Sequence, residues 1–85
     1  MTRDEVLERL TSVFRSIFDD DSITLKDSTT ANDIEEWDSL NQIKIILASE
    51  QAFGLRLNAR KISTFANVGD MVEYVFHEAR QQGKA

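Results

Sequence analysis

Apolar residues recur at helical spacing in three stretches of this 85-residue chain. In the first, about Arg3 to Phe18, Val6, Leu10, Val13, Phe14 and Ile17 fall at steps of four, three, one and three. That is one face of a helix, widened by Leu7 and Phe18. Thr2 and Glu5 have the spacing of a capping box at its start. In the second, about Ser39 to Phe53, Leu40, Ile43, Ile46, Leu47 and Phe53 form the main stripe, with Ile45 beside it. Leu47 and Phe53 are therefore expected in the core. Asp38 is a good N-cap and Gly54 a good residue just past the end. The β-branched Ile43, Ile45 and Ile46 lower helix propensity a little, so burial must compensate. The third helix begins near Asn67, with Asp70 three residues on as a capping-box variant. Val68, Met71, Val72, Val75, Phe76 and Ala79 share its inner face.

The connection DDDSITLKDSTTANDIEE lacks periodicity and reads as a long loop, with Ile23, Leu25 and Ile34 as anchors into the core. A loop this long inside a small domain is often functional. In LRLNARKIST, Asn58 caps a single turn from Ala59 to Ile62. Residues 80–85 are expected to fray. The pattern predicts an all-α fold, a small four-helix bundle with three main helices, a short third helix and a long first loop. One domain spans residues 1–85.

Composition narrows the function classes. There is no Cys, hence no disulfide framework and no thiolate metal site. No apolar run approaches the roughly 20 residues that span a bilayer. The charged start MTRDEVLERL is unlike a signal peptide, so a cytoplasmic monomer without membrane insertion is expected. The net charge of −5 argues against nucleic acid as a partner. The charge is segregated. Asp19 to Asp38 holds eight acids and one base, net −7; Ser39 to Lys61 holds four bases and one acid, net +3. Two solvated faces explain this, and so does electrostatic guidance of a protein partner. The triplet at Asp19–Asp21 does not fit a calcium loop, because Ile23, Thr24 and Thr30 stand at its fifth, sixth and twelfth positions. No metal is expected.

Ser39 lies between the acidic run and the second helix. A free hydroxyl is a poor nucleophile without a neighbouring base. The single histidine, His77, falls on the last helix, where a solvated residue is the simpler reading. As an acceptor of a covalent group Ser39 is better placed, since exposed N–H groups and the helix dipole favour an anion there.

The whole chain resembles an acyl carrier protein. The resemblance rests on Asp38-Ser39-Leu40, followed by Ile43, Ile46, Leu47, Ala48, Glu50 and Phe53, and it continues through Ile62, Val68 and Asp70-Met71-Val72 to Val75. It implies that Ser39 receives 4′-phosphopantetheine from coenzyme A through a separate phosphopantetheinyl transferase. Asp38 would support that transfer and cap the helix, and Leu40 would complete the motif. The arm's thiol would hold an acyl group as a thioester, so the chain is a carrier and not an enzyme. The resemblance also implies that Ile43, Leu47, Ile62 and Phe65 line an acyl pocket. Ser49 stands where the family often has Leu; its hydroxyl needs a partner, for which the Ile45 carbonyl is a candidate, unless it faces solvent.

In this family the second helix is a docking surface and is usually acidic. Here Asn41, Lys44, Gln51 and Ala52 replace frequent acids, and the negative charge precedes Ser39. The partner surface is expected at Glu35, Glu36, Trp37, Asn41 and Lys44. Trp37 either packs over the loop and helix or meets a partner. Expected partners are the transferase, acyl-activating or acyl-transferring enzymes and ketosynthase-type enzymes, in a specialised lipid or polyketide-like pathway. An aminoacyl, peptidyl or D-alanyl carrier is the near alternative. An unmodified helical interaction module is the distant one. The acids before Ser39 repel one another, so the melting temperature should rise with salt or divalent cations; a melting temperature insensitive to both would contradict this.

Overall fold

A computed structural model of the chain describes residues 1–34 and 37–83, and for Ala31 and Ser39 the backbone alone. Helix α1, Arg3–Phe18, opens on the expected box: the Thr2 N–H donates to Glu5 Oε1 and the Glu5 N–H donates to Thr2 Oγ1. It ends at Asp19 in the left-handed region, φ 50°, a conformation that Asp tolerates. Helix α2, Ser39–Phe53, is capped by Asp38 and stopped by Gly54 at φ 64°. Helix α3, Ala59–Ile62, is capped by the Asn58 side chain. Helix α4, Val68–Gln81, is capped by Asn67, and Asp70 Oδ2 reaches back to the Ala66 N–H. Among the described residues there is no strand.

Helix α1 packs against both α2 and α4. Val6, Leu10 and Phe14 bring its apolar face to Ile45, Ile46 and Phe53 of α2 and to Val72 and Val75 of α4. Leu25, Leu55 and Ile62 close the core from the connections. Tyr74, absent from the expected face, is buried because its hydroxyl accepts the Asn58 N–H at 2.8 Å and its ring meets Phe65 edge-on. Phe76 is half-buried.

The expected stripe of α2 is corrected. Leu40, Ile43 and Leu47 are 63%, 56% and 58% exposed. Helical steps of about 100° place these three on one side of α2 and Ile45, Ile46, Ser49 and Phe53 on the other. The second set faces the bundle, so Leu47 is not core. Ser49 is fully buried and does not face solvent. Its Oγ finds no partner, so the expected bond to the Ile45 carbonyl is not made. Thr11 does make such a bond to Leu7, at 2.8 Å.

The first loop is more ordered than its composition suggests. Ala31–Asp33 form a 3-10 turn, with the Thr30 N–H and hydroxyl donating to Asp33 Oδ2. Leu25 is buried, and Ile23 and Ile34 are half-buried. The Ser22 hydroxyl and N–H donate to Asp20 Oδ1, which holds the Asp20 carboxyl below its ordinary value. Arg15 Nε donates to the Ile23 carbonyl at 2.7 Å. The loop then meets α4, where Val68 and Gly69 N–H donate to the Thr29 and Asp27 carbonyls, both at 2.8 Å. Arg3 adds ion pairs to Asp27 and Glu73, the latter without the angle of a hydrogen bond. Their exposure limits each to about 0–1 kcal/mol.

At the other end, α4 runs to Gln81. Gln82 exchanges side-chain hydrogen bonds with the backbone of Arg56, both at 3.0 Å. Residues 84 and 85 lie outside the described set. Because the two faces of α2 differ so sharply, Phe53→Ala should cost about 2–5 kcal/mol in chemical denaturation. Leu47→Ala should stay within about 0.5 kcal/mol; equal losses would contradict this orientation of α2.

Candidate functional site

Trp37 is the last anchor of the loop. Its ring stands edge-on to Phe14, with centroids 5.0 Å apart and planes at 84°. Its indole N–H donates to Gln42 Oε1 on the first turn of α2. Trp37 is half-buried and packs against the core. The next residue, Asp38, is extended and exposed. Its Oδ1 accepts the Asn41 N–H at 2.9 Å, and its carbonyl accepts the Gln42 N–H at 2.9 Å. Helix α2 therefore starts at Ser39, which the loop delivers at the end of the bundle.

No acid lies within the first turn of α2. Beyond the Asp38 cap, nothing negative in that turn competes for the positive end of the helix. The helix dipole and the N–H groups at this end of α2 favour an anion there.

A cleft of about 390 Å³ begins beside this point. Trp37, Asp38 and Gln42 form one wall; Ile62, Phe65, Val68 and Met71 from α3, the following turn and α4 form the other. The volume lies within the usual range for a small-molecule site, and the lining is mostly apolar. Of the four residues expected to line an acyl pocket, Ile62 and Phe65 border this cleft. Ile43 and Leu47 do not line the cleft, because they point away from the bundle with Leu40. Sequence reasoning missed Gln42 and Met71. Gln42 was findable, since three residues after Ser39 is one turn along the same side of a helix.

Lys44 is exposed beside the Leu40–Ile43–Leu47 stripe, and Asn41 is half-buried. Glu35 and Glu36 lie outside the described residues. Glu50 is engaged, accepting the Leu57 N–H at 3.0 Å. His77 is exposed on α4, 3.5 Å from Gln81 Nε2. Among the described residues no three His, Cys, Asp or Glu gather as a metal site would require. No described helix is long and apolar enough to cross a membrane.

Residues 8–75 match the family described as Phosphopantetheine attachment site. An acyl carrier protein of Acidothermus cellulolyticus is 23% identical over 75 residues, which cover 88% of this chain and 89% of that one. An acyl carrier protein of Prochlorococcus marinus is 29% identical over 76 residues, with coverages of 88% and 94%. Among solved structures, the solution NMR structure of holo acyl carrier protein from Geobacter metallireducens matches with a TM-score of 0.82 at 36% identity, over 91% of this chain and 88% of that one.

The Asp38 cap can be separated from its charge. Asp38→Ala should lower stability by about 1 kcal/mol, whereas Asp38→Asn should hold it within about 0.5 kcal/mol. Equal losses in denaturant titrations would deny that the carboxylate acts as a cap.

Proposed function

Since the chain belongs to the phosphopantetheine-attachment family of acyl carrier proteins, we propose that Ser39 is its attachment residue and that it serves a specialised pathway with partners of its own. Proteins of this family are carriers without catalysis of their own, and their prosthetic group is 4′-phosphopantetheine. When bound, that group supplies a thiol that holds the acyl unit as a thioester. The chain's own part is to bear the arm and present it. Tethering raises the effective concentration of the cargo at each partner.

The observation that carries Ser39 is its place. It is the first residue of α2, follows a capping Asp38, and adjoins a cleft of a size to receive part of an arm or its cargo. The residues fit the group: first-turn N–H donors for a phosphodiester, then apolar walls formed by Ile62, Phe65 and Met71. Asp38 is exposed beside Ser39 and open to a transferase.

The specialised pathway is supported by the outward face of α2. That face offers Leu40, Ile43 and Leu47 with Lys44, and no exposed carboxylate. A partner that recognises an acidic second helix through basic patches would find little to pair with here, and like charge near Lys44 would oppose it. Partners with an apolar, uncharged or acidic docking surface fit better. The partners of this reading are a phosphopantetheinyl transferase and the enzymes that load and use the acyl unit. Work in the cytoplasm as a monomer belongs to the same reading.

Intact mass tests the attachment. Wild type and Ser39→Ala are incubated with coenzyme A and a broad-specificity phosphopantetheinyl transferase. Wild type should gain one phosphopantetheine and Ser39→Ala none. A gain in neither folded protein would contradict the carrier reading, and a gain in both would move the attachment elsewhere.

A further inference from the structure

We infer that Gln42 is a recognition residue for the loaded arm, donating its side-chain N–H to a carbonyl oxygen at the mouth of the cleft, and that Trp37 is the positioning residue that aims it. The inference rests on attachment at Ser39. An indole N–H can only donate. The Gln42 atom that faces it must therefore be the amide oxygen, and the hydrogen bond to Trp37 fixes which way the amide is turned. That leaves Nε2 with its two N–H donors, and no described residue accepts from them.

Gln42 lies one helical turn from Ser39 and forms the cleft wall together with Trp37 and Asp38. The remaining wall near it is mainly apolar, from Ile62, Phe65 and Met71. An apolar cleft with one oriented donor at its entrance selects a chain that carries a carbonyl oxygen followed by apolar length. A chain tethered at Ser39 must pass that entrance to reach the apolar walls. Two carbonyls meet the description, an amide of the arm and the thioester of the cargo. Trp37 is itself held by its edge-on contact with Phe14, so the donor's aim is set by the core.

The test uses the full chain charged with phosphopantetheine or with S-octanoyl-phosphopantetheine, each verified by intact mass. The probe is the Gln42 side-chain amide in NMR spectra. Its Nε2 protons should shift downfield and exchange more slowly with water than in the unmodified protein. A change already present with the free thiol assigns the arm amide; a change only with octanoyl assigns the thioester. Gln42→Glu keeps an acceptor for Trp37 and removes the donor, so it should melt like wild type. Its arm resonances should move toward those of octanoyl-pantetheine free in solution, with docked occupancy down about fivefold. Trp37→Phe, which keeps a ring against Phe14, should weaken the same signals. Normal charging with unchanged Gln42 protons in both forms would overturn the inference alone. Failure to charge at Ser39 would overturn the attachment reading and this inference with it.

Discussion

Two backbone hydrogen bonds, from Val68 N–H to the Thr29 carbonyl and from Gly69 N–H to the Asp27 carbonyl, hold the first loop against the start of α4. A long loop in a small domain must find partners for its own peptide groups, and the free N–H donors at a helix start are available. The approach is close enough to constrain sequence. A Cβ on Gly69 would stand 2.9 Å from the Asp27 carbonyl oxygen, so only glycine allows the contact without displacing backbone. With the loop fixed there, Leu25 enters the core and the chain arrives at Trp37 and Asp38 in a defined place. The position of Ser39 is thus set by α4 as much as by its own helix.

From that end of the bundle α2 presents two different sides. Its inner side carries Ile45, Ile46, Ser49 and Phe53 into the core, and at its first turn Gln42 borders the cleft. Its outer side carries Leu40, Ile43 and Leu47 into solvent beside Lys44. The proposed carrier role would use both, the cleft for the cargo and the outer side for partners. The unpartnered Ser49 hydroxyl is a cost the core tolerates, since leaving a buried hydroxyl unbonded costs about 1–3 kcal/mol.

Much of this was legible in the sequence because it is local. The helix limits, the Thr2–Glu5 box and the Asp38, Asn58 and Asn67 caps depend on residues within one turn, and the structure has them where the spacing placed them. The orientation of α2 was not legible. Leu40, Ile43, Ile45, Ile46 and Leu47 point around more than half the helix, so periodicity alone cannot say which of them are buried. Packing against α1 decides. The same limit applies to Tyr74, whose burial depends on an N–H contributed by Asn58, and to Gln42, whose aim depends on Trp37 and through it on Phe14. The Asp38-Ser39-Leu40 motif was readable; the cleft beside it required tertiary contacts between segments distant in sequence.

If the loop clamp sets where Ser39 stands, the Val68 and Gly69 amides should be among the best protected outside the helix interiors. Amide hydrogen exchange measured by NMR on the unmodified protein reads this directly. Exchange of both amides as slow as that of the buried turns of α1, through near-global opening, is the expected result. Exchange as fast as that of exposed loop amides would mean that the loop opens independently, and that the bundle does not fix the position of Ser39.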